Sequence, residues 1–409
     1  MCQHNVVFVA PYFGPNMLRC IDALAMLDDV RLGIISHEPA ERLPAALRGR
    51  MAGHFQVADS LDPIQLSAAL RAFQKEWGRV DRLLGYLEQM QVQLAIARDR
   101  CGVVGMGETV ARNFREKNRM KAVLRDADLP VARQALVTSL ESARRFVDEV
   151  GYPIVLKPPA GVGSRGILRV ADLEDLRAGL ASLLVTPSNP AQAEEFIQGS
   201  EHTFETVSIG GEAVWSSSSY YLPRPLEVLE NPWIQYCVML PRERLESHAA
   251  SFQRTNAAAL RALGVETALS HMEWFIRADG TPVISEVGAR PPGVHLMPMM
   301  GYCHGVDMWA KWAELMVRGE FSVPERSFAC GAAFFRGQGH GQVVRAVEGV
   351  ELVNEEIGGL VVESRMPRVG DFRASGYEGE GYAIVRAETT REVIDALRSM
   401  VQGVRVILG

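Results

Sequence analysis

The 409-residue sequence lacks the patterns that mark several large classes of protein. Its six cysteines form no Cys-x-x-Cys pair, which disfavours a zinc site or a disulfide framework. No apolar stretch approaches the length of a membrane span, and the first apolar run, residues 6–10, is too short for a signal peptide. A formal net charge of −6 disfavours nucleic-acid binding by bulk electrostatics. We therefore expect a reduced, cytoplasmic protein with no membrane or nucleic-acid partner.

Two common phosphate-binding motifs are missing as well. No Gly-Lys-Ser/Thr follows the glycine-rich residues 161–166, which excludes a P-loop. The spacing Gly161-x-Gly163-x-x-Gly166 fits a dinucleotide fingerprint, but that motif must open a helix. Here the apolar run of residues 167–170 follows instead and predicts a strand, so we reject a dinucleotide site.

What the sequence does contain, from residue 151 to residue 170, is a strand, a lysine, a loop and a second strand. The apolar residues 154–156 predict a buried strand that ends in Lys157. Three glycines and Ser164 leave backbone N–H groups free to face an anion, and Arg165 adds positive charge. The pattern indicates a polyphosphate site, and a glycine-rich hairpin without a ligand is the alternative.

A second predicted hairpin, residues 271–288, carries two carboxylates. Alternation places His271 and Glu273 on one face of its first strand, and the turn lets Glu286 lie beside Glu273. Adjacent carboxylates repel each other unless a cation lies between them, and hard oxygen ligands that share a metal with phosphate indicate Mg²⁺. Two exposed acids on a polar hairpin are the alternative.

These segments resemble the ATP-grasp superfamily. The stretch YPIVLKPPAGVGSRGI looks like its lysine strand and phosphate lid, and the two acids match its metal ligands in order and spacing. The greatest similarity is to carboxylate–amine ligases, including amino-acid ligases, from about residue 100 to about residue 310. The resemblance implies ATP and Mg²⁺, with Mn²⁺ as an alternative metal, and a small-molecule carboxylate and amine, expected to be amino acids. It is also compatible with a homodimer.

The resemblance implies roles for individual residues. Lys117, at the start of an amphipathic helix, and Lys157 would neutralise the phosphates; a solvated surface lysine near Arg119 and Lys121 is the alternative for Lys117. Backbone groups of residues 195–197 would read the adenine edge, and Glu201 would bind the ribose hydroxyls. The implied ATP-binding residues are Lys117, Lys157, Gly161, Gly163, Ser164, Arg165, Gly166, Glu194, Glu195, Phe196, Ile197, Glu201, Glu273 and Glu286.

Other positions concern the substrate, or depart from the family pattern. Lys157 and Arg290 are the expected catalytic residues, and Glu88, His271 and Arg290 are the expected substrate contacts. Glu88 follows a predicted strand, and an acid favoured by a helix dipole is its alternative role. His271 also fits a structural role. Many family members have a metal-binding asparagine at the position of Gly288, so water or phosphate would fill that place.

Alternating strand and helix signals over residues 1–100 predict a parallel α/β sheet. The expected fold class is α/β, with a Rossmann-like N-terminal domain (1–110), an ATP-grasp domain of two α+β subdomains (111–318) and a small C-terminal α+β domain (319–409). The lid subdomain covers residues 130–195 approximately. We expect residues 220–236 to form a long loop and residues 336–341 a turn.

The resulting hypothesis is an ATP-dependent carboxylate–amine ligase that proceeds through an acyl phosphate and releases ADP and phosphate. The alternatives are other ATP-grasp chemistry, either carboxylase-like or purine-type ligation, and a catalytically silent nucleotide-binding regulatory protein. Because Lys157, Glu273, Glu286 and Arg290 are all present, the silent alternative is disfavoured.

Overall fold

The computed structural model describes residues 3–159, 166–231, 233–243, 246–374, 376 and 378–409, with residues 246–251 described by their backbone alone. Within these ranges, every helix is too short or too polar to cross a bilayer. Four separate sheets organise the chain: one parallel, two mainly antiparallel, and one small mixed sheet near the C-terminus.

The N-terminal unit is a parallel sheet of four strands in the order β3-β2-β1-β4. Its central strand is buried on both faces, which explains the continuous apolar sequence from Val6 to Ala10. Asp62 caps the third helix through its side chain and Pro63 occupies the first turn, as the sequence predicts. The elements are β1 His4–Val9, α1 Pro15–Ala25, β2 Val30–Ser36, α2 Ala45–Arg48, β3 Gly53–Gln56, α3 Pro63–Trp77, β4 Arg82–Gly85 and α4 Gln91–Cys101, with 3₁₀ turns at Ala40–Arg42 and Glu88–Met90.

The second unit is an antiparallel sheet of four strands in the order β5-β8-β6-β7, with two helices packed on it. Ser139 and Asp172 cap these helices through their side chains. The elements are α5 Glu108–Arg115, α6 Lys117–Asp126, β5 Gln134–Val137, α7 Leu140–Val150, β6 Ile154–Lys157, β7 Leu168–Val170, α8 Leu173–Ser182 and β8 Ala191–Glu195.

A large antiparallel sheet of eight strands forms the centre of the molecule, in the order β13-β12-β9-β10-β11-β14-β18-β17. Its β9 and β12 approach so closely at Gly199 that a Cβ there would overlap the carbonyl of Ile276. The elements of this part are β9 Gly199–Ile209, β10 Glu212–Leu222, α9 Pro225–Glu230, β11 Tyr236–Leu240, α10 Glu246–Leu263, β12 Ala268–Arg277, β13 Pro282–Gly288, α11 Leu296–His304 and α12 Met308–Arg318.

The C-terminal residues contribute three strands to this same sheet, so the predicted boundary at residue 318 divides a continuous structure. The remaining strands form a small sheet in the order β15-β19-β16. The domain boundaries stay predictions. The elements are β14 Ala329–Phe335, β15 Gly337–Gln338, β16 Val344–Glu348, α13 Val350–Ile357, β17 Val361–Arg365, β18 Gly381–Ala387, α14 Thr390–Gly403 and β19 Arg405–Leu408, with a 3₁₀ turn at Gly358–Leu360.

Contacts between units fix the N-terminal sheet against the large one. Phe8 meets Trp312 edge to face, with ring centroids 6.3 Å apart, inside one shared core. Arg318 at the end of α12 binds Asp29 with an N–O distance of 2.6 Å. As a result, the carboxyl ends of the parallel strands lie beside the end of β13.

Two local predictions were wrong. Residues 220–236 do not form one long loop: β10 extends to Leu222, and α9 follows at Pro225–Glu230. Pro225 starts that helix at its first turn, a signal that the surrounding prolines and charges obscured. Residues 336–341 are not simply a turn, because Gly337–Gln338 pairs with β19. A side chain at Gly337 would collide with Leu408, which explains the glycine there.

Candidate active site

One cavity brings together most of the predicted site residues, at the junction of the three larger sheets. It is lined by Glu88, Lys117, Lys157, Glu194, Glu195, Phe196, Ile197, Glu201, His271, Glu273, Glu286 and Arg290. Most of them stand at or near the end of an element, whereas His271 and Glu273 lie within β12. Of the predicted lid residues, Gly161, Gly163, Ser164 and Arg165 lie outside the described part of the chain. Gly166 has a φ of +74°, which favours glycine.

The two predicted metal-binding carboxylates are direct neighbours. Glu273 on β12 and Glu286 on β13 are Cα partners in the antiparallel register, as the hairpin prediction requires. The Nζ atom of Lys117, at the first turn of α6, forms an ion pair with Glu286. Lys117 is only 6% exposed, so it is not a solvated surface lysine. The pair of acids therefore faces a buried cation.

Beneath Glu273, a buried polar network orients the site. His271 contacts Glu205 through Nδ1 at 2.8 Å and faces Glu273 through Nε2 at 3.7 Å. Glu205 is fully buried and also accepts a hydrogen bond from Thr203, at 2.7 Å. Burial lowers the pKa of His271, but hydrogen bonds to Glu205 and Glu273 prevail and raise it to about 9. Each ring nitrogen of His271 thus faces a carboxylate. This arrangement favours the structural role that was the alternative to substrate binding.

The donor set fits a magnesium ion. Within the described residues, no three or more His, Cys, Asp or Glu side chains converge into a complete metal cage. A pair of carboxylates that leaves other coordination positions to phosphate and water is the arrangement that Mg²⁺ favours over an all-protein cage. Burial raises the pKa of Glu273, but His271 and the nearby lysines outweigh it and lower the pKa, which favours the charged carboxylate that a metal would require.

Lys157 belongs to a buried cluster that the sequence did not predict. Glu194, near the end of β8, receives Lys157 at 2.8 Å and Lys121 at 2.6 Å. Lys121, a charged neighbour that supported the surface alternative for Lys117, is itself only 1% exposed. It stands one helical turn after Lys117 on α6, a spacing of four residues that a helical-face argument could have used. Burial raises the pKa of Glu194, but the two lysines lower it to about 2.

The predicted hinge is the segment that leaves β8. The carboxylate of Glu195 binds Arg133 at 2.5 Å and also pairs with Arg277, so its side chain ties the hinge to the segment before β5 and to the end of β12. Phe196 packs under two guanidinium groups, Arg169 at 4.7 Å and Arg224 at 5.9 Å from its ring centroid. These contacts were not predicted, because the two arginines come from β7 and from the segment before α9.

Glu201 lines the same cavity from β9. Burial, and next the negative charge of Glu273, raise the pKa of Glu201 to about 8. In the empty site near neutral pH, this carboxyl group is therefore largely protonated.

The raised pKa of Glu201 predicts a pH-dependent effect of Glu201→Gln on stability. An unfolded glutamate ionises near pH 4.3, whereas the folded one ionises near pH 8, so the wild type loses stability as pH rises between these values. Glutamine mimics the neutral carboxyl and removes this loss, which is on the order of 5 kcal/mol once the group is ionised in both states. Thermal melts without nucleotide or divalent cation should show a small difference at pH 4 and a clearly more stable variant at pH 8.5. A difference that is the same at both pH values would contradict the assignment.

At the far end of the cavity, Glu88 and Arg290 form an ion pair that joins two units. Glu88 begins the 3₁₀ turn after β4, and its Oε2 accepts from Arg290 Nη2 at 2.7 Å. Arg115 contacts its other oxygen at 3.4 Å. Burial raises the pKa of Glu88, but Arg290 and Arg115 lower it. A carboxylate fixed in this way has a role beyond that of a favourable helix-terminal charge.

The backbone just after Arg290 is unusual. Val294 and His295 are consecutive non-glycine residues with φ of 52° and 61°, and Val294 lines the cavity. A β-branched residue in this conformation is strained by roughly 1–3 kcal/mol. The stacking of His295 on Tyr382, with ring centroids 3.8 Å apart, is one of the contacts that hold this turn in place. The turn at Val294 and His295 was not predicted, because the sequence has no glycine at either position to indicate positive φ.

Comparisons with known proteins agree with this architecture. The model for the carbamoyl-phosphate synthase L chain, ATP binding domain, matches residues 116–203. Alanine–anticapsin ligase from Bacillus subtilis is 27% identical over 249 residues, which cover 56% of this chain and 52% of that protein. The carbamoyl phosphate synthase large chain from Methanothermobacter thermautotrophicus is 23% identical over 278 residues, 64% of this chain and 25% of the relative. The chain thus spans about half the length, or less, of these curated relatives.

Solved structures show the same fold over the whole chain. The L-amino acid ligase from Bacillus licheniformis superposes with a TM-score of 0.77 at 18% identity, and the coverage of both chains is 100%. Phosphoribosylglycinamide synthetase from Anaerococcus prevotii superposes with a TM-score of 0.70 at 15% identity, again with 100% coverage of both. The chain therefore has an ATP-grasp fold. It is similar in sequence to an alanine–anticapsin ligase and in fold to an L-amino acid ligase.

Proposed function

We propose that this protein is an ATP-dependent carboxylate–amine ligase that joins two amino acids, or closely related compounds, through an acyl phosphate. The main support is the single cavity in which two lysines, an in-register pair of carboxylates and an arginine converge. The similarity to an alanine–anticapsin ligase and to an L-amino acid ligase favours amino acids as both substrates.

The nucleotide would lie between the hinge and the large sheet. Backbone groups of residues 194–197 would bind the adenine edge, and the Glu201 carboxyl group would hydrogen-bond the ribose. Lys117 and Lys157 would bind the phosphates as point charges. Glu273 and Glu286 would hold Mg²⁺, or Mn²⁺ in its place, which would supply electrostatic stabilisation of the transferring phosphoryl group.

The proposed reaction has two steps. A carboxylate oxygen of the first substrate attacks the γ-phosphorus, the bond from that phosphorus to the β–γ bridging oxygen breaks, and ADP leaves. The amine nitrogen of the second substrate then attacks the acyl carbon, the bond from carbon to the phosphate oxygen breaks, and phosphate leaves. The nitrogen loses one proton as the amide forms. The guanidinium of Arg290 would hold the reacting carboxylate, because it lines the same cavity as the acid pair and is oriented by its ion pair with Glu88.

An oxygen-transfer experiment tests this reaction. Phosphate release should first be screened across paired amino acids to find an active pair. If the acid substrate of that pair carries ¹⁸O in its carboxylate, one labelled oxygen should appear in the released phosphate, with ADP as coproduct. Mass spectrometry of both products gives the answer directly.

The other outcomes separate the alternatives. Label in AMP would indicate an adenylate and refute the acyl phosphate. Phosphate release that requires bicarbonate rather than an amine would favour carboxylase-like chemistry. ATP binding with no turnover across the screen would favour a regulatory nucleotide-binding protein.

A further inference from the structure

Lys121 is a buried lysine that does not itself line the cavity. It is 1% exposed on α6, and its Nζ atom lies 2.6 Å from Oε1 of Glu194. The same oxygen receives Lys157 at 2.8 Å, and the amide of Gln192 also donates to it. An ammonium group is costly to bury, so its presence here needs an explanation in terms of charge.

The charges of Lys121, Lys157 and Glu194, counted together, suggest why Lys121 is buried here. Lys157 lines the cavity, whereas Lys121 lies behind Glu194 and does not. If Glu194 faced Lys157 alone, the two would form a neutral pair with little net attraction for an anion. With Lys121 present, two ammonium groups share one carboxylate, and the cluster keeps one net positive charge on the side of the cavity.

Lys117, the other lysine that lines the cavity, makes the charge balance around Lys157 more important. Lys117 is paired with Glu286, so both phosphate-facing lysines are bound to carboxylates in this structure. Burial lowers the pKa of Lys121, to about 8, although Glu194 opposes the shift, so the group remains mostly charged at pH 7. Lys157 has a raised pKa, because Glu194 and Glu286 outweigh its burial.

We propose that Lys121 is a positioning residue for ATP: it neutralises Glu194 from behind and thereby leaves the charge of Lys157 available to the phosphates. This rests on the proposed function only in that the cavity binds ATP. Lys121 does not touch the nucleotide, so any effect it has must pass through Glu194.

A double-mutant cycle on ATP affinity tests the proposal. Calorimetry with Mg²⁺ and ATP would compare the wild type, Lys121→Met, Glu194→Gln and the double variant. Lys121→Met should weaken ATP binding roughly 10-fold, the order expected for the loss of one unit charge near an anion at an effective dielectric of about 20. In the Glu194→Gln background the same change should have little effect, because the buried Lys121 ammonium group then lacks the carboxylate that keeps it charged. Lys75→Met, on the exposed face of α3, is the matched control and should bind ATP normally.

The results that would refute the role of Lys121 differ from those that would refute the proposed ligase function. An unchanged affinity in Lys121→Met, or an equal loss in both backgrounds, would overturn the proposal. If Lys121→Met does not fold, Lys121→Gln keeps a hydrogen-bond donor without the charge and Lys121→Arg keeps the charge. Weakened binding only in the glutamine variant supports the proposal, and equal binding in both refutes it. If the wild type itself binds no ATP, the proposed function fails instead.

Discussion

Glu286→Gln should reduce Mg²⁺-dependent turnover by roughly 10³-fold, since a catalytic metal stabilises several kcal/mol of transition-state charge. The carboxylate stands in register with Glu273 and pairs with Lys117, so its loss affects both the metal and a phosphate-binding lysine. Glutamine keeps an oxygen that can accept from Lys117, which should preserve the fold. Steady-state turnover as a function of Mg²⁺ concentration is the measurement, with melting temperature as the check on folding.

A matched control separates a ligand from a general charge effect. Glu348 on β16 is exposed, so Glu348→Gln removes the same charge away from the cavity and should leave turnover unchanged. The variant Glu286→Gln should also need more Mg²⁺ for half-maximal rate. Near-parental activity of Glu286→Gln at limiting Mg²⁺ would show that this carboxylate is not a ligand.

Sequence patterns predicted the features that depend on residues close together in the chain. The pairing of Glu273 with Glu286 follows from strand alternation and a tight turn, both of which are short-range properties. The parallel order of the first sheet likewise follows from alternating strand and helix signals. Similarity to a known family then supplied the expectation that Lys157 and Arg290 belong to one site.

Long-range contacts were harder to predict. No role was predicted for Lys121, because its ion-pair partner Glu194 lies 73 residues later in the sequence, on β8. The two guanidinium groups on Phe196 and the strained turn at Val294 depend in the same way on packing between distant segments. The helix α9 was missed because a six-residue helix gives little periodic signal.

Arg290→Met should lower turnover about 10²- to 10³-fold, by analogy with the removal of one donor that stabilises developing charge. The residue follows β13 and is partly buried against Glu88, so its guanidinium is held in a fixed direction. Because Arg290 is proposed to hold the carboxylate substrate, ATP affinity should change much less than turnover. Rapid-quench measurement of acyl-phosphate formation, together with ATP calorimetry, separates these two quantities.

Two further variants test whether the arginine acts through its shape or its charge. Arg290→Lys keeps the charge but loses the two-pronged geometry that binds a carboxylate, so it should recover only part of the rate. Arg71→Met, on the exposed face of α3, is the control and should turn over normally. A different result would change the assignment: if Arg290→Met loses ATP affinity as severely as turnover, Arg290 serves the nucleotide or the fold. In that case the Glu88–Arg290 pair would be a structural link between the N-terminal sheet and β13, and the carboxylate would have to be held elsewhere in the cavity.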